Sequence, residues 1–465
     1  MSRRVTVQVL KLFLLVVLVA RVGLAAVGES ADETAPRSLM ISLDAVPYQA
    51  LADLTDPALG EAAHFQAFHP PVPLISTFPS STSVAMGGIL GPLGLDRSPG
   101  YEARFFDWQQ RRVRGGGLFS YFKVEFPWRD YFDWGRKGPV GSAIEAVRPI
   151  RAGIKRLRKA LDDFLASDQQ SFLIYIAATD TAAHVLDPEA LKELLIELDV
   201  LLQEARSRSV PPFEVVIFSD HGIGGGQPLI NIYKPIKREL REAGFEVKKR
   251  LVDENDVVLT PFGLVSNFEV YVEAPIADPV AQILVEVEGV DLCAFRKQET
   301  IWLVDRMGRA SIERRWNRNE LEWRYRSVSS DPIDYRPLIE SLTDTKDADQ
   351  EWVQDGDLLK SSRDGEYPDA LYRIVKSFEM VLNPASIVCS VESDYMFGAP
   401  RTAALARFGK GRLRWTHGAL LRQPSLGFLM SDAADWKPSG AVRFDQGLLP
   451  FVDMFRSRAT ADETP

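Results

Sequence analysis

Three aspartates and three histidines carry most of the chemical content of this sequence. Leu39-Met-Ile-Ser-Leu-Asp44, Phe172-Leu-Ile-Tyr-Ile-Ala-Ala-Thr-Asp180 and Phe213-Glu-Val-Val-Ile-Phe-Ser-Asp-His221 are apolar runs of strand length, each closing on an aspartate. His221 follows Asp220 directly, His184 lies four residues after Asp180, and His417 stands in Arg414-Trp-Thr-His-Gly418. Carboxylates gathered at one place repel each other unless a cation sits between them. Imidazole with carboxylate suits zinc, which takes about four donors, whereas an oxygen-seeking cation has no use for the histidines. The other two histidines, His64 and His69, lie in a Pro-rich connection and read as loop residues without a role. The expectation is a centre holding two divalent metal ions, zinc by ligand type. Two metals about 4 Å apart stabilise the attacking and leaving oxygens of an in-line displacement.

Those residues need a scaffold. Helical patterns separate the three runs, so they read as parallel strands of one buried sheet. In such sheets the functional crevice lies outside the carboxyl ends of the strands. Val147, Ile150, Ile154, Leu157, Leu161 and Phe164 form one helical stripe before the second strand. Pro188 to Arg208 is a second helix, which completes a right-handed strand–helix–strand unit. Within Pro71–Gly88 an extended segment reaches Thr77, and a small-residue apolar helix is expected just beyond. A hydroxyl at that junction either meets free backbone N–H groups and the positive helix end, a seat for phosphate, or simply caps the helix.

Two stretches depart from this pattern. Gly91–Gly141 is rich in Gly, Pro and aromatics, among them Tyr101, Trp108, Trp128, Phe132 and Trp134. It is either an insertion walling a pocket or a satellite core beneath a long loop. From Asp291 to Val328 short alternating runs are antiparallel in flavour, which sets residues 291–376 apart as a cap or insert. The chain is expected back in the main sheet near Ala385–Val391. The fold expected is α/β, a largely parallel central sheet flanked by helices with a smaller inserted antiparallel region.

Composition excludes several classes. A chain of 465 residues with 46% hydrophobic content buries a large core, and a net charge of −9 argues against a binder of nucleic-acid duplexes. Two cysteines, Cys293 and Cys389, exclude every Cys-rich zinc motif; one bridge and two separate buried thiols both remain open. Arg3 and Arg4, the apolar run Leu12–Ala20 and the small residues Gly23, Ala25 and Ala26 make residues 1–26 a secretory signal. A nine-residue run falls well short of the roughly 20 that a span requires. The mature chain, 27–465, is therefore expected to be exported (periplasmic or extracellular) without a stable membrane span; an uncleaved N-terminal anchor is the alternative.

Asp44, Thr77-Phe-Pro79, Asp180 with His184, Asp220-His221-Gly222 and Thr416-His417-Gly418 resemble, in order and spacing, the pattern of the alkaline phosphatase superfamily. The set looks most like the type I phosphodiesterase/nucleotide pyrophosphatase branch, where a Thr-Phe-Pro motif carries the nucleophile. The resemblance implies an alkaline-phosphatase-like catalytic domain that hydrolyses small phosphoric esters through a covalent phospho-threonine. It implies Thr77 as nucleophile, Asp180, His184 and His417 on one zinc, and Asp44, Asp220, His221 and the Thr77 oxygen on the other. That branch usually has Asn three residues after the nucleophile; this chain has Ser80, cast as a substrate-binding hydroxyl. The sulfatase branch does not fit, since no Cys/Ser-x-Pro-x-Arg motif is present. A transferase or mutase of the same superfamily, or a metal-containing binding protein without activity, are the competing readings.

Overall fold

The computed structural model describes residues 36–116, 124, 126–135, 148–343, 351–399, 413–438 and 440–452. The expected leader, 1–26, lies outside them, as do residues 117–123, 125 and 136–141 of the aromatic stretch and 344–350 of the expected cap.

The main sheet holds β1 (Arg37–Leu43), β2 (Val72–Ile75), β3 (Ser171–Ile176), β4 (Phe213–Phe218), β5 (Leu426–Ser431) and β6 (Val442–Arg443), in the order β6-β2-β5-β4-β1-β3. β1 runs parallel to both β3 and β4, β2 runs parallel to β6, and only β5 is antiparallel to its neighbours. Alternate residues serve opposite faces, as strand geometry requires. Leu39, Ile41, Leu43, Ile174, Ile176, Val215 and Ile217 join one core with Leu157, Leu161, Leu194, Leu195, Leu198 and Leu202. Those leucines are the buried stripes of α2 (Pro149–Ala166) and α4 (Leu191–Arg208). Met40, Leu173, Val216 and Phe218 face the other way, onto Val84, Met86 and Ile89 of α1 (Thr82–Leu90). At about 1.5–3 kcal/mol for each large apolar side chain fully buried, this two-sided burial is the main force holding the strand ends together. α3 (Ala178–Val185) follows β3 almost without a loop.

A second, nine-stranded sheet is mostly antiparallel. It draws on residues from Glu246 to Val391, a wider span than the 291–376 expected of an insert. Ile387–Val391 lies in its interior, between Val290–Lys297 and Asn267–Tyr271, and so does not return to the main sheet; the chain re-enters that sheet at β5. The run is buried at every position, because side chains cover both faces of this sheet. An unbroken apolar run cannot distinguish such a strand from a buried parallel one. Cys293 and Cys389 stand directly opposite each other on adjacent strands of this sheet and are joined as a disulfide.

Candidate metal centre

Asp44 follows β1 immediately, and the chain then turns sharply through Ala45, whose φ of 58° is left-handed. The turn is held by the Ala45 N–H, which donates to Asp220 Oδ1 at 3.3 Å, and by the Val46 N–H, which donates to Ser219 Oγ at 2.8 Å. Asp220 and His221 leave β4 one residue later, so the ends of two neighbouring strands are cross-tied. Asp180 arrives differently from the expectation. β3 ends at Ile176 and α3 begins at Ala178, so Asp180 belongs to the first turn of a helix. Four residues on a helix return to one face, and His184 Nε2 lies 3.2 Å from Asp180 Oδ1.

His417 comes from far along the chain. Trp415–Thr416 pairs antiparallel with Gly224–Gly225, just beyond His221, and His417 itself bridges to Val265. Gly225 has φ 121°, and a Cβ there would lie 2.2 Å from the Arg414 carbonyl oxygen, so only glycine permits this approach. The result is two groups, Asp180/His184/His417 and Asp44/Asp220/His221, each with donor atoms within 4.8 Å of one another. The His221 and His417 rings stack with centroids 4.2 Å apart, so the groups adjoin.

Each imidazole is anchored through Nδ1 to a backbone carbonyl. His184 contacts Trp415 O at 2.9 Å, His221 contacts Gly222 O at 2.9 Å, and His417 contacts Ser80 O at 3.1 Å. An Nδ1–H donating to a carbonyl leaves the Nε2 lone pair free, the arrangement found around metal-binding histidines. All three Nε2 atoms face carboxylates: His417 lies 3.4 Å from Asp180, and His221 lies 3.5 and 3.6 Å from Asp220 and Asp44.

The charge balance calls for cations. Burial, then repulsion from Asp220 and Asp180, holds the Asp44 carboxyl far above the usual range. Burial, helped by Asp180 and opposed by the Ala45 N–H, pushes Asp220 up to about 8. Burial also works against ionised Asp180, but His184 and His417 overcome it and hold that carboxyl well below the ordinary value. Burial, together with His417, keeps His221 neutral. Asp180 Oδ1 and Asp220 Oδ2 are buried acceptors without a hydrogen-bond donor. Orphaned carboxylate oxygens opposite free imidazole nitrogens fit divalent cations of the zinc kind. Asp180, with 29% side-chain exposure against 4% or less for Asp44, Asp220 and His221, marks the open side.

The expected hydroxyl lies elsewhere than the sequence pattern suggests. Thr77 is fully buried, and its hydroxyl donates to Pro79 O at 2.6 Å. Its methyl packs on α1, where a Cβ on Gly88 would lie 2.9 Å from it. The helix starts at Thr82, five residues later than the junction read from sequence. Thr82 Oγ1 lies 3.0 Å from Asp44 Oδ1 and 3.3 Å from His221 Nε2. The hydroxyl at the strand-to-helix junction, beside Asp44 and His221, is that of Thr82, while the Thr77 hydroxyl is turned to Pro79 O. Ser80, expected to be a substrate-binding hydroxyl, has its polar groups engaged within the fold. It is fully buried and zips two turns together, its N–H donating to Gly418 O, its hydroxyl to Ala419 O, and its carbonyl holding His417.

His64 pairs with Asp199 and His69 with the Ala433 carbonyl, so both serve the fold. Sequence reasoning missed Tyr175, whose hydroxyl donates to Asp44 Oδ2. Trp128 and Phe132 pack on that ring, at centroid distances of 5.2 and 5.5 Å. The aromatic stretch thus divides: Trp128 and Phe132 back the site through Tyr175, while Phe106 and Trp108 pack on Tyr271 of the second sheet.

Fold and site together define an α/β protein with two adjoining groups able to hold metal ions. No protein-family model and no curated protein matches the sequence. Among solved structures, the chain is similar to human ectonucleotide pyrophosphatase/phosphodiesterase 5, at 11% identity over 90% of this chain and 95% of that one, with a TM-score of 0.48. It is also similar to phosphonoacetate hydrolase from Sinorhizobium meliloti, at 12% identity over 90% and 96%, with a TM-score of 0.45.

Proposed function

We propose that this chain is an exported, zinc-dependent hydrolase of phosphoric esters in the alkaline phosphatase superfamily, acting through a phospho-threonine formed on Thr82. The observation that carries the reading is the pairing of the two His/Asp groups with a hydroxyl at the N-terminus of α1, 3.0 Å from Asp44. Asp180, His184 and His417 would hold one ion, and Asp44, Asp220 and His221 the other. When bound, the ions lower the pKa of an attacking oxygen and take up charge on the phosphoryl group. Thr82 Oγ attacks phosphorus, its proton passing by way of Asp44 Oδ1, to which it already donates, to the departing ester oxygen, which leaves as the alcohol. The first-turn N–H groups of α1 and its positive end favour the anionic phosphoryl group. Water then attacks from the opposite side, breaks the Thr82–phosphorus bond and restores the hydroxyl.

The secretory leader read at residues 1–26 and the Cys293–Cys389 disulfide support an oxidising destination. Among the described residues no helix is long and apolar enough to cross a membrane.

The test compares p-nitrophenyl phosphate with bis-p-nitrophenyl phosphate, with and without chelator, alongside elemental analysis of the purified protein. We expect close to two zinc ions per chain and turnover that chelator abolishes and zinc restores. Metal present without release of nitrophenol from either ester favours the binding-protein reading; full activity in chelator sinks the two-metal mechanism.

A further inference from the structure

Arg373 lies on α5 (Ala370–Ser377), outside both ligand groups, and is fully buried. Its guanidinium donates five hydrogen bonds, all to uncharged oxygens. Nε reaches Ser76 O at 2.8 Å, Nη1 reaches Leu420 O at 2.9 Å and Pro368 O at 3.0 Å, and Nη2 reaches Thr77 O at 3.1 Å and Ser425 Oγ at 2.5 Å. The neighbouring carboxylate, Asp369, spends both oxygens on Arg443, each at 2.7 Å. A buried cation held by neutral carbonyls is costly, and burial lowers the Arg373 pKa to about 10. Simple packing would not need a charge there.

What four of the five bonds join gives the charge a purpose; the fifth, to Pro368 O, stays beside α5. Ser76 and Thr77 open the turn that delivers Thr82 to Asp44, while Leu420 and Ser425 belong to the turn that begins at His417 and ends at β5. One planar fork with fixed donor directions therefore spans the turns that feed the two halves of the centre. Ser80 is the second tie between them, through Gly418 and Ala419. We propose that Arg373 is a positioning residue that fixes the spacing between Thr82 and His417, and hence between the two ligand groups. The activity arm of its test rests on the hydrolase reading above; the spectroscopic arm does not.

Arg373→Ala, Arg373→Lys and, as control, Arg443→Lys are loaded with cobalt(II), whose visible bands report ligand geometry. Arg443 is equally buried and close by, but is held by Asp355 and Asp369 and not by the turns. The expected result for Arg373→Ala is shifted cobalt bands and a kcat for bis-p-nitrophenyl phosphate down roughly a hundredfold, with KM changed much less. Guanidinium chloride in the tens of millimolar should recover about a tenth or more of the lost activity and move the bands back. Arg443→Lys should lower the melting temperature without moving the bands. If Arg373→Ala does not fold, Arg373→Lys carries the same two readouts, since an ammonium has three donors where the fork uses five. Unchanged bands with kcat within about threefold would overturn the proposal, as would equal responses at Arg373 and Arg443. An inactive wild type whose cobalt bands still shift in Arg373→Ala counts against the hydrolase reading while upholding the positioning role.

Discussion

At the scale of single residues, a hydroxyl serves as nucleophile only where its oxygen is held near charge-stabilising groups, and Thr77 and Thr82 differ in that respect. Thr82→Ala removes the hydroxyl beside Asp44 and His221 while leaving all six His/Asp ligands. Activity should fall by several powers of ten, each worth about 1.4 kcal/mol, with metal content retained. Thr82→Ser should keep appreciable activity. Thr77→Ala loses a buried methyl against Gly88 and a hydrogen bond to Pro79. It should cost about 1–2 kcal/mol of stability but leave kcat within roughly tenfold. A dead Thr77→Ala beside an active Thr82→Ala would restore the register that the Thr-Phe-Pro motif suggests. Tyr175→Phe deletes only the hydroxyl on Asp44, and metal affinity measured by competition should drop about 10- to 100-fold. The two His/Asp groups are legible from sequence because Asp and His closing apolar runs have few structural uses. Thr82 is not, because Ser76, Thr77, Ser80, Ser81, Thr82 and Ser83 are chemically alike and the helix boundary alone decides among them.

At the scale of elements, β1 and β4 are legible because both of their faces are buried and their sequences show it. Asp180 reads as a strand end since Ala177-Ala-Thr-Asp180 has no residue that forbids either state; in the structure it starts α3, which is what aligns Asp180 with His184. The nine-stranded sheet is only half legible, as its interior strand Ile387–Val391 is as uniformly apolar as any parallel strand. The aromatic stretch gives a prediction at this scale. Trp128 is fully buried on Tyr175, and Trp108 packs on Phe106 and Tyr271. Trp128→Ala should alter metal affinity and kcat through Tyr175 and Asp44, whereas Trp108→Ala should only lower the melting temperature. Equal kinetic effects on purified, folded variants would mean that the stretch supports the site as one unit.

At the scale of the whole molecule, stability should fall as pH rises from about 4.5 to 8, against the usual trend for carboxylates. Glu269 lies inside the second sheet, 5% exposed, with Asn267 donating to it at 2.6 Å. Burial, then repulsion from Glu102, pushes its carboxyl up to about 8. Burial also pushes Glu102 up to about 7, with the Ala103 N–H and Arg129 opposing and Asp180 adding to the rise. Both folded-state pKa values thus exceed those of the unfolded chain. Below about pH 4 the two states bind the same protons and the groups contribute nothing. Above it the unfolded chain ionises freely while the folded chain retains its protons, so stability declines until the folded groups ionise near pH 7–8. Each tenfold gain in proton affinity on folding corresponds to about 1.4 kcal/mol, and the two carboxyls influence each other, so the loss should be a few kcal/mol in all. Glu269→Gln, which keeps the shape and an acceptor for Asn267, should raise the denaturation midpoint at pH 8 and flatten the decline, with little effect at pH 4.5. Metal held by the His/Asp groups would titrate the opposite way, since acid protonates its donors and releases it. Melts are therefore run in chelator, so that only the carboxyl pair distinguishes wild type from variant. Parallel pH–stability curves for the two would show that Glu269 ionises in the fold as readily as in the unfolded chain, and would overturn the expected decline.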